Sequence, residues 1–342
     1  MPCYHPLTAY DVTPKYFTCQ EKRKIVFSIA NPDLKLELKA KGRELQLPCG
    51  QCVGCRLEYS RQWANRCMLE LEHHDSAYFV TLTYDDAHVP KSWSLAPPTA
   101  AFGYTGEVVA PAMTLRRRDF TLFMKQLRYR FPNDNIRYFA SGEYGTSTLR
   151  PHYHAIIFGL HLDDLEPYTK SSLGYQYFNS PSLSRCWIDG ATGESKGYVV
   201  VGRVTWDTCA YTARYIMKKQ KGPKSRDYYF QAGLEAEFSA MSRRPGIAAY
   251  YYQEHPEIWR YDKINVCTPD GGRQFTHPLY LRRMFELDEP LESFAFSERR
   301  RLNAIDNQRM RLTLTDKDYA QLLADEEEEK INRIKALTRD VI

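Results

Sequence analysis

The sequence predicts a mixed α+β fold in which an antiparallel sheet is flanked by helices. Three observations carry this expectation. Two strand-like runs, 136–143 and 152–158, are separated by a short turn-rich link; an amphipathic helix precedes them; and two more β-branched, aromatic runs stand at 77–84 and 197–204.

Taken in order, the chain opens with an irregular start and a cysteine-rich run at 48–55. A helix-like stretch follows over 56–74, in which Leu57, Trp63, Cys67, Leu69 and Leu71 recur at helical spacing. Ala77–Tyr84 reads as a strand closed by the turn signal Asp85-Asp86. Residues 91–113, with Pro97-Pro98, Gly103, Gly106 and Pro111, read as a long loop or insertion. Thr114 is expected to cap a helix whose face Phe120, Phe123, Met124, Leu127 and Phe131 lies opposite Arg116, Arg118 and Lys125, and which ends at Pro132-Asn133. After the hairpin, a looser segment with Gly174, Pro181 and Gly190 leads to the strand 197–204. Thr205 or Asp207 then caps a helix that runs through Tyr211, Tyr215 and Lys219 to Gly222-Pro223. No internal repeat is visible, the text beyond Met241 is Tyr-rich, and the last 50 residues read as charged helix. The expected division is 1–75, a cysteine-rich element and helix; 76–285, the central domain with insertions; and 286–342, an acidic helical tail.

Composition narrows the class. With 43% hydrophobic and 26% charged residues, the 342-residue chain is globular, neither disordered nor collagen-like. Apolar runs such as Ala155-Ile156-Ile157-Phe158 are too short to span a bilayer, so a soluble protein without membrane partners is expected. The Met-Pro-Cys-Tyr-His-Pro start lacks the pattern of a secretory signal, which places the nine cysteines in a reducing compartment and calls for a reading other than disulfides. The net charge of +5 is uneven. From Glu286 onward there are 10 basic and 14 acidic residues, including Asp325-Glu326-Glu327-Glu328-Glu329, leaving 37 basic against 28 acidic and +9 in the body. A basic body suggests a polyanionic partner, although many enzymes reach that charge without one.

Two constellations carry chemistry. In Arg150-Pro151-His152-Tyr153-His154, strand alternation puts His152 and His154 on one face, where two imidazoles can grip one divalent cation. If 136–143 and 152–158 pair as a hairpin, Glu143 lies opposite His152 and completes a two-histidine, one-carboxylate set. Nine histidines produce about 0.2 such His-X-His pairs by chance, whereas 25 tyrosines produce about 1.8 pairs four apart, so the histidines carry the weight. In Tyr211-Thr212-Ala213-Arg214-Tyr215-Ile216-Met217-Lys218-Lys219 the two phenols sit one helical turn apart. From 211 to 226 six basic residues (Arg214, Lys218, Lys219, Lys221, Lys224, Arg226) meet no acid, which fits phosphate contact and equally a basic amphipathic helix with structural tyrosines.

Phe79-Val80-Thr81-Leu82-Thr83-Tyr84, His152-Tyr153-His154 and Tyr211-X3-Tyr215 with Lys218 resemble, in order, the three motifs of the HUH endonucleases that initiate rolling-circle replication. Ser141-Gly142-Glu143-Tyr144-Gly145, Arg150-Pro151-His152-Tyr153-His154, Met241-Ser242-Arg243-Arg244-Pro245-Gly246 and Pro48-Cys49-Gly50-Gln51-Cys52-Val53-Gly54-Cys55 are similar to the replication initiators of small single-stranded DNA microviruses of the gokushovirus group. The resemblance covers roughly 1–255. Tyr153 departs from the plain aliphatic usual inside the His-X-His.

The resemblance implies a site-specific DNA endonuclease with strand-transfer activity, active in the cytoplasm of an infected bacterium. Mg2+ or Mn2+ would sit on His152, His154 and Glu143; Tyr211 and Tyr215 would alternate as nucleophiles; Lys218 would steady the phosphate; and Arg214, Lys219, Lys221, Lys224 and Arg226 would contact DNA. Its partners would be the viral origin and a host helicase and polymerase, since no Gly-X4-Gly-Lys-Ser/Thr motif is present. A transposase or relaxase of the same superfamily, and a non-catalytic zinc-dependent nucleic-acid-binding protein using the tyrosines to stack bases, are the alternatives.

Cys49-X2-Cys52-X2-Cys55 supplies three thiolates that suit structural Zn2+, an iron–sulfur cluster or a nest of buried thiols. Cys3 or His5 is the candidate fourth ligand, and the resemblance favours Cys3. Cys19, Cys67, Cys186, Cys209 and Cys267 lack ligand spacing and are expected in the core.

Overall fold

The computed structural model describes residues 3–13, 24–94, 109–145, 148–171, 174–214, 225–268 and 271–335. They divide into two compact units: the described residues of Met1–Tyr59 with those of Leu279–Thr338, and Ser60–Pro278.

The chain begins with β1 (Leu7–Asp11), β2 (Ile25–Val26), α1 (Pro32–Ala40) and β3 (Glu44–Leu47), the strands forming a three-stranded antiparallel sheet in the order β2-β1-β3. Asn31 caps α1: its Oδ1 accepts from the backbone N–H groups of Asp33 and Leu34 at 2.9 and 3.4 Å. Helix α2 (Val53–Leu71) starts three residues before the expected 56, inside the cysteine run, and the division between the units falls within it after Tyr59.

The second unit contains β4 (Ala77–Tyr84), β5 (Lys91–Ser94), β6 (Val109–Met113), α3 (Arg117–Arg130), β7 (Arg137–Tyr144), β8 (Pro151–Phe158), β9 (Glu166–Lys170), β10 (Gln176–Asn179), α4 (Pro181–Ser184), β11 (Gly197–Arg203), α5 (Trp206–Arg214), α6 (Ser225–Gln231), β12 (Phe238–Met241), α7 (Ala249–Glu254) and the hairpin β13 (Ile264–Thr268) and β14 (Gly271–Phe275). Helices α8 (Leu279–Asp288), α9 (Pro290–Leu312) and α10 (Tyr319–Lys335) follow and belong to the first unit, so the expected charged helices at the C-terminal end are present.

The expected α+β fold is the one observed. Seven strands form an antiparallel sheet in the order β12-β7-β8-β4-β11-β10-β9. Alternation sends Val80, Leu82, Tyr84, Tyr153, Ala155, Ile157, Val199 and Val201 to one face, where Phe120, Phe123, Met124 and Leu127 of α3 cover them; all are buried. Burial of each Val, Leu, Ile, Phe or Met among them contributes about 1.5–3 kcal/mol. The opposite face carries Phe79, Phe139, His154 and Ile156 and meets α2 and α5: Trp63 stacks on Phe139 with ring centroids 4.4 Å apart, and α5 packs on β7 and β8. Gly142 on β7 belongs to the α3 side, opposite Tyr153, and is required there because a Cβ would lie 2.7 Å from Cε1 of Phe238.

Several expectations are corrected. Thr114 does not cap α3, whose N-cap is Arg116 without a side-chain bond; its hydroxyl instead accepts from the backbone N–H of Glu235 at 2.9 Å. Part of the expected loop 91–113 is the β5–β6 hairpin, and the looser segment after the central hairpin holds β9, β10 and α4. Thr205, not Asp207, caps α5: its hydroxyl accepts from Thr208 N–H at 3.1 Å while Thr208 Oγ1 accepts from Thr205 N–H at 2.9 Å. Cys67, Cys186 and Cys209 are buried as expected, Cys267 on β13 is exposed and not in the core, and Cys19 lies outside the described residues.

At the start of β7, buried Arg137 pairs with buried Glu70 of α2 and donates to the carbonyls of Pro245 and Gly246 at 3.0 and 3.1 Å. Glu70 also accepts from Ala248 N–H and lies 3.3 Å from His74 Nε2. The segment after β12, noted in the sequence for Arg243-Arg244-Pro245-Gly246, is thereby tied to the sheet.

Candidate metal centres and the tyrosine helix

The pairing of β7 with β8 sets Glu143 opposite His152 and Ser141 opposite His154, and the pairing of β8 with β4 sets Thr81 opposite His154. Glu143, His152 and His154 therefore project from one face, and their ligand atoms all lie within 4.8 Å of one another. Glu143 Oε1 is 2.7 Å from His152 Nε2 and 3.2 Å from His154 Nε2. Glu143 and His154 are buried, while the side chain of His152 is 19% exposed and forms the open edge of the cluster.

The surroundings orient both rings. The carbonyl of Arg150, which can only accept, lies 3.0 Å from His152 Nδ1, so that nitrogen carries the proton and Nε2 is turned toward the carboxylate. Thr81 Oγ1 sits 3.0 Å from His154 Nδ1, and Phe79 stacks on the same ring at 5.6 Å. Arg150 is itself fixed by donating to the carbonyl of Tyr84 at 2.9 Å and by its pairing with Asp86. Burial alone would raise the Glu143 pKa, but hydrogen bonds and charge from His152 and His154 outweigh it and hold the carboxyl at about 2.

The donor set fits a divalent cation. A neutral His152 with its proton on Nδ1 would set a nitrogen lone pair against a carboxylate oxygen 2.7 Å away, a contact relieved by a proton or by a cation shared among the three groups.

Helix α5 brings Tyr211 to this cluster. Its ring meets His154 edge-on at 5.2 Å and Phe79 at 6.2 Å. The helix is held from α2 by Ser60 Oγ donating to the Ala210 carbonyl at 2.7 Å and by Trp206 Nε1 donating to Asn65 Oδ1 at 2.9 Å. Arg214 ends the described part of α5, and Arg226 is exposed in the first turn of α6. Tyr215, Lys218, Lys219, Lys221 and Lys224 lie outside the described residues. Thr81, Phe79 and the Arg150 carbonyl were not singled out as site residues from sequence; counting register across β4 and β8 is the signal that finds Thr81.

The second cluster lies in the first unit. The sulfurs of Cys3, Cys49, Cys52 and Cys55 are all within 4.8 Å of one another, with Cys49–Cys55 at 4.0 Å and Cys3–Cys52 at 3.9 Å. Tetrahedral zinc with bonds of about 2.3 Å needs sulfur–sulfur edges near 3.8 Å, so the four sulfurs fit it. His5 is not part of the cluster; its Nε2 lies 2.6 Å from Glu327. Backbone N–H groups turn toward the sulfurs: Tyr4 and Cys55 donate to Cys52 at 3.4 Å each, Cys52 donates to Cys49 at 3.3 Å, and Cys49 donates to Cys3 at 3.2 Å. Burial opposes ionisation of Cys52, but the N–H groups of Cys55 and Tyr4 pull its thiol down to about 6. Leu323 of α10 and Tyr4 pack on the cluster.

Residues 77–220 match a family model described as replication-associated protein ORF2/G2P. The chain is similar to the replication-associated protein ORF2 of Spiroplasma virus 4, with 34% identity over 300 residues covering 86% of this chain and 85% of that protein. It is 27% identical over 271 residues to the replication-associated protein VP4 of Bdellovibrio phage phiMH2K, covering 76% and 75% of the two chains. To the replication-associated protein ORF4 of Chlamydia phage 1 it is 28% identical over 215 residues, or 59% and 46%. No solved structure matches the chain.

Proposed function

Because this chain belongs to the family of phage replication-associated proteins, we propose that it initiates rolling-circle replication by nicking the viral replicative form at its origin and later rejoining the displaced strand. The observation that carries this reading is the placement of the Tyr211 ring 5.2 Å from His154, beside a carboxylate and two imidazoles, on residues within the family match.

Tyr211 is the nucleophile at the cluster. Its phenolic oxygen forms a bond to the scissile phosphorus, the bond to the 3′ oxygen breaks, the phenol loses a proton, and the leaving 3′ oxygen gains one. The product is a 5′-phosphotyrosine that conserves the phosphodiester, and a 3′-OH that primes synthesis. Attack of a DNA 3′-OH on that linkage reverses the step and closes the circle. Tyr215 is the second nucleophile and Lys218 the cation that steadies the phosphate. A divalent ion, Mg2+ or Mn2+, held by Glu143, His152 and His154 would neutralise charge on the phosphate oxygens. Glu143 and the buried His154 keep that position fixed on paired strands, and the exposed edge of His152 leaves room for the phosphate. The chain would work on origin DNA in the cytoplasm of an infected bacterium with a host helicase and polymerase. No helix among the described residues is long and apolar enough to cross a membrane.

The test is incubation with supercoiled origin DNA and Mn2+. The parent protein should yield a nicked circle with a protease-sensitive 5′ block, and Tyr211→Phe/Tyr215→Phe should yield none; identical behaviour of the two refutes the nuclease reading. For the cysteine cluster we assign structural Zn2+, which predicts about one zinc per chain in the purified protein, lost on Cys52→Ser. A zinc-free, stably folded parent refutes it.

A further inference from the structure

We propose that the outward face of α3 is a track for single-stranded DNA, separate from the nicking site. Residues 116–130 carry six cations, Arg116, Arg117, Arg118, Lys125, Arg128 and Arg130, and every one is exposed. The stretch has one acid, Asp119, and it is buried and consumed, accepting from Tyr84 OH at 2.7 Å and lying 2.8 Å from Lys196 Nζ. None of the six cations is ion-paired with a carboxylate among the described residues, and the exposed Glu235 accepts from the backbone N–H of Arg117 at 2.9 Å.

Helix electrostatics explains only half of this pattern. Arg128 and Arg130 in the last turn suit the negative end of the helix dipole. Arg116, Arg117 and Arg118 crowd the positive end, which is unfavourable for cations. Arg117 is partly compensated by the Phe238 ring 5.1 Å away and the Glu235 carboxylate at its N–H, and a bound polyanion offsets the charge of Arg116 and Arg118. Arg118, Lys125 and Tyr129 fall on one line of the helix at i, i+7 and i+11, spanning about 16 Å. At its end a surface cleft of about 830 Å3 is lined by Arg128, Tyr129, Arg130, Phe131 and, from the segment after α4, Arg185. Tyr129 is 81% exposed at this cleft, an aromatic face among guanidinium groups. Duplex phosphates would use the cations alone. A cleft with an open aromatic ring fits a strand whose bases are free to stack.

Because α3 covers the sheet face of Tyr153, whereas Glu143, His152 and His154 project from the other, this track and the cluster lie on opposite sides of the sheet. A strand held here is kept apart from the reacting phosphate. The identity of the polyanion rests on the DNA-processing reading above, but binding is measurable without it.

The experiment is fluorescence anisotropy of the full chain with labelled oligo(dT) lacking any origin sequence and with no added divalent ion. Arg118→Gln/Lys125→Gln/Arg130→Gln should weaken binding roughly tenfold or more near 0.1 M salt and flatten the log–log salt slope by about 2, or about 0.7 for each lost phosphate contact. Tyr129→Ala should weaken oligo(dT) binding roughly fivefold to a hundredfold and leave duplex binding unchanged. A control with the same loss of charge, Arg301→Gln/Arg309→Gln/Lys330→Gln, should lose much less. Equal losses in the two triple variants, or unchanged oligo(dT) binding by Tyr129→Ala, overturns the proposal. Tyr211→Phe/Tyr215→Phe should keep oligo(dT) binding while losing nicking, so each reading can fail without the other.

Discussion

Two buried carboxylates stand near opposite ends of the same strand and are treated differently. At the start of β7, Glu70 faces the guanidinium of Arg137, an N–H of Ala248 and His74, so its charge is matched by a cation that never leaves. Near the end of β7, Glu143 faces two imidazoles, whose charge depends on a proton. A buried charge that only supports the fold needs a permanent partner. One whose partners are conditional is suited to hold something that comes and goes. Burial does not separate the two, since both side chains are almost fully enclosed.

The largest effect should come from the permanent pair. Glu70→Gln leaves Arg137 buried without its counter-charge and should cost about 3–5 kcal/mol of unfolding free energy in denaturant titrations. Burial raises the Glu70 pKa, but hydrogen bonds from His74, Arg137 and Ala248 N–H more than reverse this and hold it below its ordinary 4.5. A depressed carboxyl stabilises the fold above the unfolded value and loses that contribution as pH falls through the folded one. The parent should therefore lose stability below about pH 4.5, and the acid-side slope should be shallower in Glu70→Gln. An unchanged slope would place the acid-labile charge elsewhere.

Glu143→Gln should act mainly on ion binding. The amide N–H groups can still donate to an imidazole, but the depressed Glu143 carboxyl also stabilises the fold above its unfolded value. The variant without added ion should therefore melt below the parent, yet by less than Glu70→Gln, which strands a buried guanidinium. Mn2+ at a hundred times its dissociation constant should stabilise the parent by about 2.7 kcal/mol and Glu143→Gln not at all. Mn2+ protection of both proteins would mean that the ion sits elsewhere. A smaller change is expected from Thr81→Val, which keeps shape and strand preference but removes the partner of His154 Nδ1. Loss of such an orienting contact typically weakens metal affinity tenfold to a hundredfold, readable by calorimetry.

The same contrast explains what the sequence made legible. The His152–Glu143 juxtaposition followed from strand alternation and one hairpin, both local, and β4, β7 and β8 lie within a residue or two of their expected bounds. The Glu70–Arg137 pair joins residues 67 apart in sequence and neither carries a spacing signal, so it was invisible. Strands β9, β10 and β12 are four or five residues long and lack the clean alternation of the inner strands, while β5 and β6 border text rich in proline and glycine. The four cysteines were readable because three share one short run, but only folding brings Cys3 onto them and Leu323 of α10 against them. Thr114 misled because a hydroxyl just before a helix can cap it, yet this one is used by Glu235 from the far side of the sequence.

The smallest effect tests whether the cluster and the tyrosine proposed as its nucleophile are separable. Glu143, His152 and His154 are held by strand pairing, whereas Tyr211 rides on α5, whose nine described residues begin at the reciprocal Thr205–Thr208 cap. Thr205→Ala should cost about 1 kcal/mol, since one orphan N–H loses its acceptor. Because that cost falls on the helix and not on the sheet, Mn2+ affinity should stay at the parent value while the nicking rate drops severalfold through looser placement of the phenol. A parallel fall in Mn2+ affinity would mean that α5, through the contact of Tyr211 with His154, also sets the geometry of the cluster. The conditional site would then extend beyond the strands that carry its ligands.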